Sequence, residues 1–283
     1  MEEIHRGISK VFLKVIMMKL TGVVLTKNNQ REIKRCLLSL KFCNEIIIID
    51  DYSTDGTLDE IQKLKQQFLD KCKIQIFQRR LNNFSEQRNF GLEKASGEWI
   101  LFVDSDETVS QDLASEIIKL LNGSMVNGYQ AFYLKRRDYF WGKELKYGET
   151  QKIRKVGIIR LVKKDSGKWE GKVHEEYRVY KVRSYKVYKV ESLNGYIEHY
   201  PHQTVKEFIE SVNFYSSIRA DELHKQGKKT TIFEIITFPL FKFIFSYFLK
   251  FGFLDGPAGF VYSFFMSFHS FLVRIKLYQK YVL

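Results

Sequence analysis

The chain has 283 residues, 45% of them hydrophobic and 28% charged, which fits one sizeable folded core with an appendage and excludes an intrinsically disordered protein. Its three cysteines, Cys36, Cys43 and Cys72, form an odd, unclustered set, which speaks against a disulfide framework or zinc module and fits a reducing cytoplasm. The net charge of +13 is unevenly placed: residues 1–130 hold 18 basic and 18 acidic groups, residues 131–200 hold 18 against 9, and residues 201–283 hold 10 against 6. The excess lies beside the most aromatic part of the chain, a pairing that suits an anionic membrane surface. No nucleic-acid-binding motif accompanies it, so no nucleic-acid partner is expected.

Residues 1–19 are basic and moderately apolar, without the long apolar run or small-residue cleavage site of a secretory signal. They read either as a short amphipathic helix or as an extension upstream of a start at Met18. Residues 20–26 are a Val-rich strand, and 31–40 have helical spacing through Ile33, Leu37 and Leu40. Residues 45–50 contain four consecutive isoleucines, as in a strand buried on both faces. A helix follows over 57–69 through Leu58, Ile61, Leu64 and Phe68, with Thr54 or Asp55 as its cap. A strand at 73–78, a helix at 85–94, a strand at 99–104 and a helix at 111–121 complete the pattern. Such alternation predicts an α/β fold, a mainly parallel sheet with helices on both faces and ligands at the carboxyl ends of its strands. Asp50-Asp51 and Asp104 both fall at such ends.

The texture then changes. Residues 128–139 and 156–162 read as strands, and 169–200 alternate only in part, which suggests a more antiparallel segment against the first sheet. From Thr204 the chain becomes helical: 205–225 is amphipathic, and 232–251 and 253–277 are dense in Phe. Residues 256–273 are uncharged and just reach spanning length. Their Ser263, Ser267, His269 and Ser270, and the Gly-Pro-Ala-Gly start, favour helices lying in a membrane interface over a span. Packing on protein is the other reading.

Asp104-Ser105-Asp106 closes the apolar run Trp99–Val103. Two carboxylates two residues apart at a strand end can hold Mg²⁺ or Mn²⁺ while the cation also bridges a diphosphate, although a lone D-x-D also occurs in ordinary turns. In Asp50-Asp51-Tyr52-Ser53-Thr54-Asp55-Gly56-Thr57, Thr54, Asp55 and Thr57 can be simple capping residues. Neither Asp50 nor Asp51 is needed for that, which leaves at least one to accept hydrogen bonds from a base or ribose. Thr26-Lys27-Asn28-Asn29 is a polar loop suited to a ribose or uracil, and Arg88 is placed to reach a diphosphate or to remain a surface charge.

The succession Leu25-Thr-Lys-Asn, Ile49-Asp-Asp-Tyr-Ser-Thr-Asp-Gly-Thr, Arg88-Asn-Phe-Gly-Leu and Gly97-Glu-Trp-Ile-Leu-Phe-Val-Asp-Ser-Asp-Glu resembles family 2 glycosyltransferases. The resemblance implies a GT-A fold, a nucleoside-diphosphate-sugar donor such as a UDP-sugar, a divalent cation and inversion at the anomeric carbon. It implies that Thr26, Asn28, Asp51 and Arg88 hold the nucleotide, with Asp50 and Ser105 beside them, and that Asp104 and Asp106 take the diphosphate and metal. Ile159-Arg-Leu-Val-Lys-Lys, Lys172-Val-His-Glu, Ile197-Glu-His-Tyr and Phe253-Leu-Asp-Gly narrow the likeness to the branch with lipopolysaccharide-core β-glucosyltransferases.

An inverting transfer needs a general base for the acceptor hydroxyl. Glu175 in Val173-His174-Glu175 is the chosen base, with Glu176 and Asp138 as alternatives and His174 as its orienter or a phosphate contact. His199 is a candidate third metal ligand, and Arg160 a candidate partner of a donor or acceptor phosphate. The expected organisation is an extension at 1–19, a catalytic domain at 20–203 (donor half 20–125, acceptor half 126–203) and a helical region at 204–283. The expected activity is hexose transfer, glucose being one candidate, to a glycan or glycolipid at the cytoplasmic face of a bacterial inner membrane. A capsule, lipid-linked or protein acceptor, a nucleotidyltransferase, and a glycan-binding protein with a degenerate site are the competing readings. Against the nucleotidyltransferase, the loop after the first strand has no glycine.

Overall fold

The computed structural model describes residues 19–68, 72–123, 126–171, 175–180, 189–202 and 204–283. The expected amphipathic helix or extension before residue 19, and Lys172, Val173 and His174, lie outside these. Two compact units are present. The first takes the described residues up to Lys135 with Ile158–Glu170 and Glu176–Ile197; the second takes Arg136–Gly157, Gly171, Glu175 and the described part of Glu198–Leu283.

In the first unit β1 (Leu20–Thr26), α1 (Ile33–Ser39), β2 (Glu45–Asp50), α2 (Thr57–Phe68), β3 (Lys73–Gln78), α3 (Phe84–Lys94) and β4 (Trp99–Asp104) alternate as the apolar periods demand. They are followed by β5 (Glu107–Val109) and α4 (Gln111–Leu121). Strands β3, β2, β1 and β4 pair in that order, all parallel. Beyond β4 the sheet continues with β8 (Ile158–Lys163), β6 (Tyr129–Phe140), β11 (Lys189–His199) and β5. β8 is antiparallel to both β4 and β6, so the change of texture read from the sequence is a change of strand direction. A separate antiparallel pair is formed by β9 (Gly167–Glu170) and β10 (Glu176–Val179).

The four isoleucines of β2 are buried and divide between two cores because side chains alternate across a sheet. Ile46 and Ile48 join Leu37, Ile61, Leu113 and Ile117 on the face covered by α1, α2 and α4. Ile47 and Ile49 join Val23, Phe102, Val162, Trp169 and Tyr177 on the other. At the amino end of the sheet the buried Glu45 accepts hydrogen bonds from Thr21, Ser96 and Gln75, at 2.8–2.9 Å. Burial would raise its pKa, but the Ser96 and Thr21 hydrogen bonds outweigh this and lower it, which marks a structural acid.

The second unit contains β7 (Lys143–Leu145), α5 (Gln151–Lys155), α6 (Val205–Lys225), α7 (Ile232–Ile244), a π turn (Phe245–Leu249), a 3₁₀ turn (Gly252–Asp255) and α8 (Gly256–Val282). Both α6 and α7 start with complete capping boxes, Thr204 with Glu207 and Thr231 with Glu234. Pro257 sits in the first turn of α8, where a missing N–H costs nothing. The core here is Phe140, Leu145, Phe208, Val212, Ala258 and Phe265.

Gly91 lets α3 approach the sheet: a Cβ at this position would stand 2.5 Å from Val23 Cγ1 and 3.3 Å from Ile49 Cδ1. Ala normally exceeds Gly in a helix by about 1 kcal/mol, whereas overpacking a filled core costs about 1–3 kcal/mol. Gly91→Ala is therefore expected to destabilise the protein by about 1–2 kcal/mol, read as a lower urea midpoint at unchanged slope.

Candidate active site

β4 ends in Asp104, whose carboxylate meets two guanidinium groups. Arg88 Nη2, from α3, donates to Oδ1 and Oδ2 at 3.0 and 3.1 Å, and Arg160 Nη2, from β8, donates to Oδ2 at 2.8 Å. The side chains of Arg88 and Arg160 are only 2% and 6% exposed, so this carboxylate is the counterion that makes their burial tolerable. Burial by itself would raise the Asp104 pKa; Arg160 and then Arg88 outweigh it and hold the group far below the usual carboxylate range. Arg88 also faces the Trp169 ring at 5.1 Å. Two bonds hold that ring's segment: Asn89 Nδ2 donates to the Trp169 carbonyl and Trp169 N donates to Asn89 Oδ1, both at 2.9 Å. Behind the turn, the fully buried Glu107 accepts from Asp104 N at 3.0 Å and lies 3.6 Å from Arg160.

The neighbouring strand ends carry the other predicted residues. Thr26 and Asp50 are register partners, as are Leu25 and Asp104. Asp50 is fully buried and accepts from Ser53 and Gln78, so it ties the turn. Asp51 bonds Lys27 Nζ at 2.6 Å and Leu81 N at 3.0 Å. Asn28 receives Thr54 N at 2.8 Å and gives its own N–H to Ser53 Oγ at 2.9 Å. Asn28 and Tyr52 both hold left-handed backbone (φ 49° and 50°), a conformation that costs energy in a non-glycine residue and gathers at binding loops. Asn29 Nδ2 donates to Ser105 Oγ at 2.7 Å, linking the β1 loop to the β4 turn. Among the described residues Thr26 Oγ1 is buried without a hydrogen-bond partner, a group that a ligand can satisfy.

Thr26, Asn28, Asp50, Asp51, Arg88, Asp104, Ser105, Asp106 and Arg160 all belong to the first unit. Glu175 and His199 belong to the second. Glu175 is half-buried just before β10. His199 Nδ1 lies 2.5 Å from Asp138 Oδ1, and Arg136 Nη2 lies 2.9 Å from the same atom. Burial favours the neutral acid, but Arg136 and His199 overcome it and push Asp138 down to about 2. A carboxylate held in this way is a poor proton acceptor.

A family model described as glycosyl transferase family 2 matches residues 22–189, more than half of the chain. The chain belongs to glycosyl transferase family 2. This family 2 glycosyltransferase is 28% identical over 272 residues to the lipopolysaccharide core biosynthesis glycosyltransferase LpsC of Rhizobium meliloti, covering 93% of each chain. It is also 28% identical to the uncharacterized glycosyltransferase RP128 of Rickettsia prowazekii, over 92% of this chain and 87% of the other. Among solved structures, the mannosyltransferase PcManGT of Pyrobaculum calidifontis, in complex with GDP-Man and Mn²⁺, superposes with a TM-score of 0.50 at 12% identity, over 95% of this chain and 81% of that one. The fold of the transferase is thus GT-A-like: a mostly parallel sheet with flanking helices, followed by C-terminal helices.

The transferase's donor set fits a hard cation. A carboxylate has about four lone-pair sites, and the arginines use three of those on Asp104. Among the described residues no group of three His, Cys, Asp or Glu clusters closely enough to hold a metal, so phosphate oxygens and water would fill the remaining positions, as Mg²⁺ prefers. Glu107, Asn89 and Trp169 were not singled out from sequence. Glu107 had a signal, since it directly follows the D-x-D pair; the Asn89–Trp169 link joins positions 80 residues apart and had none.

Asp104→Asn leaves two buried guanidiniums without their main counterion. A loss of about 3 kcal/mol in unfolding free energy is expected. Because the folded-state pKa is depressed, this contribution is complete above about pH 4, the unfolded Asp value. It fades as pH falls further, so the gap between wild type and variant in urea titrations should narrow steadily below pH 4.

Proposed function

We propose that the protein is an inverting hexosyltransferase that uses a UDP-sugar with Mg²⁺ or Mn²⁺ and acts on a cell-envelope glycan such as lipopolysaccharide core. The observation that carries the reading is the Arg88–Asp104–Arg160 clasp beside Asp106, at the carboxyl ends of β1, β2 and β4. A site with fixed cations, an oxygen donor and polar loops matches the parts of a nucleoside diphosphate. The lipopolysaccharide-core role named for LpsC, together with the full-length likeness to it, supports the acceptor class.

In this reading Asp51 and Asn28 receive the base and ribose, and the unsatisfied Thr26 hydroxyl bonds the nucleotide. Arg88 and Arg160 keep Asp104 ionised and aimed at the diphosphate end, and Ser105 and Asn29 brace the turn. Asp104 and Asp106 would hold the cation, which would neutralise charge growing on the departing diphosphate. Glu175 takes the acceptor hydroxyl proton as that oxygen bonds to C1 from the face opposite the leaving group, and the C1–oxygen bond to the diphosphate breaks. The catalytic span is residues 20–203, with 20–125 for the donor, 126–203 for the acceptor and 204–283 for attachment to the cytoplasmic face of the membrane.

A screen of nucleotide sugars for cation-dependent transfer or hydrolysis tests the donor class. With the donor found, Glu175→Gln is expected to lower turnover by about 10²–10⁴-fold with donor affinity unchanged. Asp106→Ala is expected to abolish turnover at an unchanged melting temperature. Wild-type turnover in Asp106→Ala would remove the metal-site assignment; wild-type turnover in Glu175→Gln would remove the base.

A further inference from the structure

Two C-terminal segments, Ile232–Leu249 and Gly252–Val282, are long and apolar enough to cross a membrane, and the second makes polar contacts to its neighbours. Lys276 Nζ, on α8, donates to Asn213 O and Oδ1, Ser216 Oγ and Ser217 Oγ of the amphipathic α6, all at 2.7–2.8 Å. Ser267 Oγ of α8 donates to the Pro239 carbonyl of α7 at 2.6 Å, inside the pair. The opposite side of α7 is bare. Phe233, Ile236, Leu240, Ile244 and Phe248 follow one another at three- and four-residue steps along α7 and into the π turn, and Phe233 is 75% exposed. This is an apolar stripe turned outward.

Between α6, α7 and α8 lies a groove of about 770 Å³, all of whose lining residues belong to the second unit. Its lining holds six cations, Arg219, Lys228, Lys229, Lys242, Lys250 and Arg274, against two carboxylates, Glu149 and Glu234. Its buried lining is apolar, with Val273 and Leu277. Arg274 is fixed: its guanidinium stacks 4.0 Å from the Phe238 ring centroid and donates to Ser270 Oγ at 2.7 Å. Arg219 is ion-paired with Glu222, Glu149 lies 3.9 Å from Lys242, and Glu234 is engaged in the α7 cap, so the cations still exceed the carboxylates around the groove. Phe241, Phe245 and Leu249 line the groove and are also exposed, so its lip runs into the apolar stripe.

A cationic groove with an apolar buried lining, opening along an exposed aromatic edge, is complementary to an anionic amphiphile. We propose that this groove seats the phosphate headgroup of an anionic phospholipid of the bilayer, with the α7 stripe laid in the acyl-chain boundary. The proposal rests on the reading that the protein works at a membrane surface, and it specifies where and by what chemistry it attaches.

The test is flotation of the full-length protein with vesicles of phosphatidylcholine alone or doped with phosphatidylglycerol. Wild type is expected to float with the doped vesicles, and each groove charge removed should lower the partition coefficient about fivefold. The variants are Lys242→Gln with Arg274→Gln, and separately Lys228→Gln with Lys229→Gln. The latter two side chains are exposed, so their exchange tests the groove even where Arg274→Gln melts early. Lys34→Gln with Lys63→Gln, exposed on the first unit, should float as wild type does. If wild type stays soluble with both vesicle types, the membrane reading falls and the groove proposal with it. If wild type floats and the groove variants lose no more than the Lys34/Lys63 control, the groove proposal alone is overturned. A melting-temperature rise with inorganic phosphate, against chloride of equal ionic strength, that vanishes in the groove variants would assign the groove to free phosphate and overturn the lipid.

Discussion

At the end of β4 one carboxylate carries two buried guanidiniums, and much of the site depends on that balance. Arg88 is brought from α3 and Arg160 from β8, so Asp104 joins a helix on one face of the sheet to a strand beside it. Removing either arginine would leave a buried charge imbalance, and replacing all three with apolar groups would remove the polarity at the sheet's carboxyl edge. The cluster therefore fixes the geometry of the turn. Glu107, bonded to the Asp104 amide behind it, keeps the turn from relaxing.

The two ends of the same sheet show how context divides one residue type into different uses. Glu45 lies at the amino end, saturated by Thr21, Ser96 and Gln75. Asp50 lies at the carboxyl end of the same strand and is also saturated, by Ser53 and Gln78. Asp51, one residue on, bonds Lys27 and the Leu81 amide. It remains the better candidate for a ligand contact because it is not sealed under the turn.

Much of the first half was legible in the sequence because its strands are short, apolar and buried. The expected boundaries of β1 to β4 coincide with those found, and the isoleucine run in β2 splits between two cores as a doubly covered strand must. The antiparallel part was harder to read. β9 and β10 are four residues each, too short for alternation to show. Asp50 and Asp51 look alike on paper, and only the Ser53 and Gln78 partners mark Asp50 as a turn-tying acid. Arg160 could be paired with Asp104 only once the antiparallel register of β4 and β8, Leu101 opposite Leu161, was known. The clasp is thus a property of register, which local composition does not encode.

In the helical unit Lys276 of α8 bonds α6, while the aromatic side chains along α7 are exposed. The proposed diphosphate-and-cation site lies at the strand ends, beside the Arg88–Asp104–Arg160 cluster. The most direct measurement is calorimetric titration of the wild-type protein with UDP, in Mn²⁺ and again in excess EDTA. Saturable binding that weakens at least about tenfold, or about 1.4 kcal/mol, when the cation is removed is the predicted result. Equal affinity with and without the cation, or no UDP binding in either, would contradict the account.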